Sequence, residues 1–201
     1  VNKQISLILL SKLGDANYLD RTSGVVQVVR KHSETDEGFK IEKRIPYSHS
    51  ATLAECSTMD KAMIPNSKHK SCLYFEDKGI DTGQDVRGNV QYTSRLRLVC
   101  WLNMNIINGL YDPAVTSKIM ADIIFRLMEI QNQNEDPFSR VTVKLAGIAE
   151  QSQDIFSAYD YAERETQFLM PPFDFFAIDF TVTFSISKEC DRTINLVNFK
   201  C

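Results

Sequence analysis

The strongest pattern in the chain lies near its end, in "PFDFFAIDFTVTFSIS" (residues 172–187). Phe176, Ile178, Phe180, Val182, Phe184 and Ile186 fall on one parity, and Ala177, Asp179, Thr181, Thr183, Ser185 and Ser187 on the other. A period of two predicts a strand with one apolar face. It would be about 50 Å long at 3.3 Å per residue, about three times the usual length. The second clear pattern has the helical period. Asp112 is a good N-cap, and Pro113 stands at the first helical position, where its missing N–H costs nothing. Val115, Ile119, Ile123, Leu127 and Ile130 follow at helical spacing, and Met120, Ile124 and Met128 widen the stripe. This predicts a helix over residues 112–130 with one face on a sheet.

Weaker patterns fill in the rest. In "NKQISLILLSKLGD", Ile5, Leu9 and Leu13 form a stripe with Ile8 beside it, and Gly14 can close a helix over residues 2–13. "GVVQVVRK" (24–31) predicts one β-branched strand, and "FKIEKRIPYSHS" a strand near a sheet edge, ending at Pro46. "ATLAECSTMDKAMIPNS" fits either a helix or a crossing loop. "CLYFED" and "QYTSRLRLVCWLNMN" flank the glycine- and aspartate-rich "KGIDTGQDVRGN", which predicts a hairpin arm around residues 72–100 with a long mobile tip. In its second strand Tyr92, Ser94, Leu96, Leu98 and Cys100 share one face, with Arg95, Arg97 and Val99 on the other. "RVTVKLAGIAEQ" (140–151) predicts a further strand, and "DIFSAYDYAERETQF" extended structure running into a β-arm. The sum is one α+β domain over residues 1–201: a mostly antiparallel sheet, one principal helix on a face, an N-terminal helix, a long β-hairpin arm and a C-terminal tail over 189–201.

Composition narrows the partners. The 201 residues are 43% hydrophobic and 24% charged, ordinary for a globular chain, and a net charge of −3 with a pI near 5.7 disfavours a general nucleic-acid binder. The apolar run "ISLILL" is far shorter than the roughly 20 residues of a membrane span. Lys12 cuts it short and no small-x-small cleavage site follows, so the expectation is a chain that is not exported and has no membrane partner. Five cysteines, Cys56, Cys72, Cys100, Cys190 and Cys201, are odd in number and sparse, which favours reduced thiols over a disulfide framework.

Candidate chemistry is thin. His49, Cys56, His69 and Cys72 are zinc-type ligands without the short paired spacing of a zinc site, and two buried thiols plus two surface histidines is the plainer reading. Asp77, Asp81 and Asp85 recur at four-residue steps but lack the spacing and distal Glu of an EF-hand. Cys56, Cys72 and Cys100 could in principle meet a histidine, yet no motif ties a thiol to a base. The carboxylate pairs Asp174/Asp179 and Asp160/Glu163 carry no signal, and a solvated Asp179 is the default on a polar strand face. Phe168, Phe173, Phe175 and Phe176 read as core or interface rather than a pocket. Arg95 and Arg97, with Arg87, make a short basic row that either meets an acidic neighbour or faces solvent. No catalytic residue, metal or cofactor is assigned.

In element order, "DPAVTSKIMADIIFRLMEI", "VTVKLAGIAEQ" and above all "DYAERETQFLMPPFDFFAIDFTVTFSI" resemble the tail-terminator and neck-connector (head–tail joining) proteins of tailed bacteriophages. The likeness spans roughly residues 91–188. It implies a non-enzymatic structural virion protein in a homo-oligomeric ring, a hexamer, at the head–tail neck or tail end. Its partners would be other phage neck and tail proteins, with DNA only as cargo through the lumen, and its place the virion, or the host cytoplasm during assembly. The strands at 39–78 and the tail "RTINLVNFKC" depart from the smallest members. On this reading the closing strand is long because part of it serves a neighbouring subunit, since open edges invite pairing. The alternative is a cytoplasmic metal- or ligand-binding α+β module using His49, Cys56, His69 and Cys72.

Overall fold

The computed structural model describes residues 1–14, 16–34, 40–52, 55, 61–86, 89–160 and 169–187. Among them are three helices, α1 (Asn2–Leu13), α2 (Met104–Asn108) and α3 (Pro113–Met128). Eight strands accompany them: β1 (Arg21–Val25), β2 (Gln27–Glu34), β3 (Lys40–Tyr47), β4 (Ser71–Val86), β5 (Asn89–Asn103), β6 (Gln133–Glu135), β7 (Phe138–Glu150) and β8 (Phe173–Ser187). Six strands form one curled sheet in the order β1-β4-β5-β8-β7-β6, and β2 and β3 form a separate ribbon. Every neighbouring pair is antiparallel except β1 with β4. The fold is α+β, with the sheet mostly antiparallel and the helices packed on it, as the periodicities predict.

The helical stripes face inward as expected. α1 buries Ile5, Leu9 and Leu13, and α3 buries Ile119, Ile123 and Leu127, while Asp112 caps α3 by accepting the Ala114 N–H at 2.9 Å. Both helices share a core with Leu96, Leu98 and Cys100 of β5 and with Phe176, Ile178, Phe180, Val182 and Phe184 of β8. The opposite sheet face holds a second core. Tyr74, Val99, Trp101, Phe175 and Ala177 lie there beneath a 3-10 helix, Gln153–Phe156, and Tyr159. Residues 153–156 are therefore helical rather than extended: Ser152 caps the turn through the Asp154 N–H, and Ile155, Phe156 and Tyr159 point into the core. The continuation over 161–168 and the tail 189–201 lie outside the described residues.

Three other expectations are corrected. The stretch 24–31 is not one strand. Val26 donates its N–H to Phe75 O at 2.9 Å, the last bond along the parallel edge, and the chain then leaves the sheet to pair with β3. Pro46 sits in that ribbon opposite Val28, with no N–H to lose. The glycine-rich stretch of the hairpin is strand as far as Val86 and again from Asn89, rather than a long tip. β4 and β5 stay in register as far as Val86↔Asn89, interrupted by irregularities at Asp77/Ile80 and Thr82/Asp85. Gly79 (φ 104°) lies in the first and Gly83 in the second, where an added Cβ would come 2.8 Å from Gln91 O. Bulges use glycine for the same backbone freedom as turns do, so the residue type misleads. Finally, β8 is paired on both sides from Phe176 to Ser185. It pairs with β5 from Asn89↔Ser187 to Asn103↔Phe173, and with β7 from Ser139↔Ser185 to Glu150↔Phe176. Its length follows from a central position in its own sheet, not from service to a neighbour.

Candidate functional site

The zinc-type residues are placed first by what holds them. His49 Nδ1 lies 3.2 Å from the Gly24 N–H and 3.1 Å from Ser23 Oγ, in a network joining β1 to the turn after β3. His69 Nδ1 pairs with Asp20 at 3.2 Å. Cys72 is buried in the second core, and Cys56 lies outside the described residues. No group of three or more His, Cys, Asp or Glu with the geometry to hold a metal ion occurs among the described residues. Burial pushes the Cys72 thiol up to about 12 and the Cys100 thiol well above its ordinary value. A thiolate nucleophile is disfavoured at both positions.

The acidic residues bind the protein's own donors. Asp77 accepts from Asn2 Nδ2 at 2.6 Å and from the Gly79 N–H at 2.8 Å, and Asp81 pairs with Arg95 at 3.2 Å. Asp179 stays partly exposed but also has a partner: Arg97 on β5 grips it with Nε at 2.7 Å and Nη2 at 3.0 Å across the strand pair. Asp160 is held by Arg44 through Nε at 2.8 Å and Nη2 at 3.1 Å, and these bonds keep its pKa down at about 2. Its sequence partner Glu163 is outside the described residues. Asp174 is 2% exposed and accepts from Thr116 Oγ1 (2.7 Å), Gln151 Nε2 (3.0 Å) and the Phe175 N–H (2.9 Å). It borders a cleft of about 260 Å³ with Tyr111, Ser117 and Glu150. Three donors already occupy this carboxylate, so it anchors α3 to β8. The described members of the aromatic cluster are core, as expected: Phe173 stacks on Trp101 at 5.2 Å, Phe175 meets Phe156 at 5.2 Å, and Phe176 faces the helices, while Phe168 lies outside the described residues.

What the sheet leaves open is main chain. β1 covers β4 only from Cys72 to Phe75, and β6 covers β7 only from Phe138 to Val141. Among the described residues no strand pairs with the outer side of residues 76–86 or 144–150. Exposed aliphatic side chains mark both stretches: Ile80 on β4, and Leu145 and Ile148 on β7, the last 45% exposed. α3 adds Phe125, 69% exposed, and Met128 on its outer surface. An uncovered strand edge with aliphatic side chains is a template for another chain. The sequence carried a hint of this edge. Val141, Val143 and Leu145 share a parity that Ile148 breaks by one residue, the mark of the irregularity between Leu145 and Gly147. No protein-family model matches the chain, and no curated protein is similar to it at a significant level.

Proposed function

We propose that this chain is a non-enzymatic structural subunit that closes into a ring at the head–tail neck or tail end of a tailed bacteriophage. Its neighbours there would be other neck and tail proteins, with DNA passing through the lumen as cargo. One observation carries the reading. Among the described residues, strand segments on two opposite sides of the sheet have no outer partner, one on β4 beyond β1 and one on β7 beyond β6. Two different edges on one subunit suit head-to-tail contacts, and head-to-tail contacts generate rings when the rotation closes. The resemblance of its element order to tail-terminator and neck-connector proteins supports that station in the particle. The described charged residues singled out in the sequence fit a structural role, since Arg97–Asp179 and Arg95–Asp81 are internal pairs and Asp160 is held by Arg44; Arg87 lies outside the described residues.

Native mass spectrometry of the full chain, with electron microscopy of the same sample, tests the reading. The expected result is a closed oligomer of about six copies with a central opening. A chain that stays monomeric at the highest soluble concentration, alone and with tail tubes added, would overturn it.

A further inference from the structure

Residues 80–86 of β4 and 144–150 of β7, each seven long and without a strand on the outer side among the described residues, match each other in polarity and local irregularity. Val143 donates its N–H to Ile130 O at 3.0 Å, and its carbonyl accepts from Gln131 Nε2 at 2.9 Å, so its main chain points away from β8. Gln151 donates to Phe175 O at 3.1 Å, so its N–H points toward β8. Antiparallel strands alternate inward and outward groups. Counting in from both ends, Leu145, Ile148 and Glu150 turn theirs outward, with the irregularity between Leu145 and Gly147 taking up the change of parity. On the other side, the Phe75 carbonyl faces outward to accept from Val26, and Phe75 sits opposite Leu98. Residues opposite Leu96, Ser94 and Tyr92 share that polarity, which turns Asp77, Ile80 and Thr82 outward.

We infer that residues 144–150 of β7 in one copy pair antiparallel with residues 80–86 of β4 in the next copy, so that successive subunits share one continuous sheet. This rests on the ring reading and names the surfaces that close the ring. Three antiparallel steps separate β4 from β7, so the two strands run in opposite directions, as this pairing needs. Each of the two stretches proposed to pair, 80–86 and 144–150, has one irregularity, at Thr82/Asp85 and at Leu145/Gly147. Setting Ile148 opposite Thr82 of the next copy aligns the two. Leu145 then stands opposite the register position of Asp85, and Glu150 stands opposite Ile80, diagonal to Lys78.

The ends fit as well. The pairing ends at Val86 of the next copy, short of Val143, which Ile130 and Gln131 already cover, and its β1 begins only beyond Gln151. This register also fixes a tilt. Thr82 lies level with Phe184 and Ile148 with Ile178, so each copy steps six residues along the strands. That is about 20 Å, across about 19 Å of width for β4, β5, β8 and β7. The implied tilt of about 45° lies at the upper end of the range at which staggered sheets close into barrels.

The test uses the full chain and two edge-blocking variants, Ile148→Pro and Thr82→Pro. Both residues turn their N–H outward, so neither proline removes a bond within the subunit. Circular dichroism and thermal melting establish that each variant is folded; Ile148→Lys and Thr82→Lys replace any that is not. Native mass spectrometry should show an oligomer for the wild type, a loss of at least about tenfold in oligomer for each variant alone, and a one-to-one dimer on mixing them, because the mixture retains one intact edge of each kind. Hydrogen exchange at Leu145, Ile148 and Glu150 should slow by about a hundredfold on wild-type assembly. A ring that survives either folded variant, or exchange there that is unchanged by assembly, overturns this contact and leaves the ring standing. A wild type that never assembles overturns both.

Discussion

Phe184 tests whether the far end of β8 belongs to the subunit's own core. It is 1% exposed, stacks on Tyr92 with ring centres 5.6 Å apart, and meets Phe138 edge-on at 4.9 Å. Replacing it with Leu removes two aromatic contacts worth about 0.5–1.5 kcal/mol each beyond burial. The smaller side chain adds about 1 kcal/mol for the space left behind. The expected loss is therefore about 2–4 kcal/mol, with a coupling of about 0.5–1.5 kcal/mol to Phe138→Leu in a double-mutant cycle. The assay is urea denaturation followed by the fluorescence of Trp101, the single tryptophan and itself buried. It is run at two protein concentrations, so that assembly does not contribute. If Phe184→Leu cost less than about 0.5 kcal/mol at an unchanged denaturant slope, the end of β8 would not be packed within the subunit. A loss seen only at concentrations where rings form would refute the reasoning equally.

Gly83→Ala tests the reading of glycine as bulge rather than turn. The added Cβ would stand 2.8 Å from Gln91 O, a backbone atom that moves only with its strand. The expected cost is about 1–3 kcal/mol, with faster hydrogen exchange confined to the end of the hairpin. A neutral substitution would mean the two strands separate there at no cost. His49 gives a pH dependence. Burial, with the charge of Lys3 adding to it, pushes its pKa below the ordinary 6.5. Between the two values the unfolded chain binds a proton that the folded chain does not, so stability is full above 6.5 and falls as the pH drops toward the lowered value. The urea midpoint should fall between about pH 7.5 and pH 5.5, and fall less in His49→Gln, which keeps an acceptor for the Gly24 N–H but cannot titrate. Equal slopes in the two proteins would remove His49 as the cause.

Much of the local structure is legible from side-chain order. The stripe of α3, the cap at Asp112 and the two faces of β8 all rest on a period that burial imposes directly on residue type. The candidate edges are less legible. Leu145 and Ile148 look like ordinary inward positions of an alternating strand, and only the break in parity near Gly147 hints otherwise. Arg97 and Asp179 could not be joined from sequence at all, because 82 positions separate them and only the β5–β8 register sets them side by side.

The amino-acid sequence by itself determined the helices over residues 2–13 and 112–130, the long strand near the C-terminus and the α+β class, because each follows from which side chains must leave water. Only the tertiary structure decided that β8 is central, that 24–31 divides at Val26 between two sheets, that Gly79 and Gly83 lie within paired strand, and that among the described residues no strand covers the outer edge of 80–86 and 144–150. The physical reason is the same in each case. A strand's neighbours are chosen through main-chain hydrogen bonds that every residue but proline can make, so the choice leaves almost no mark on the pattern of side chains.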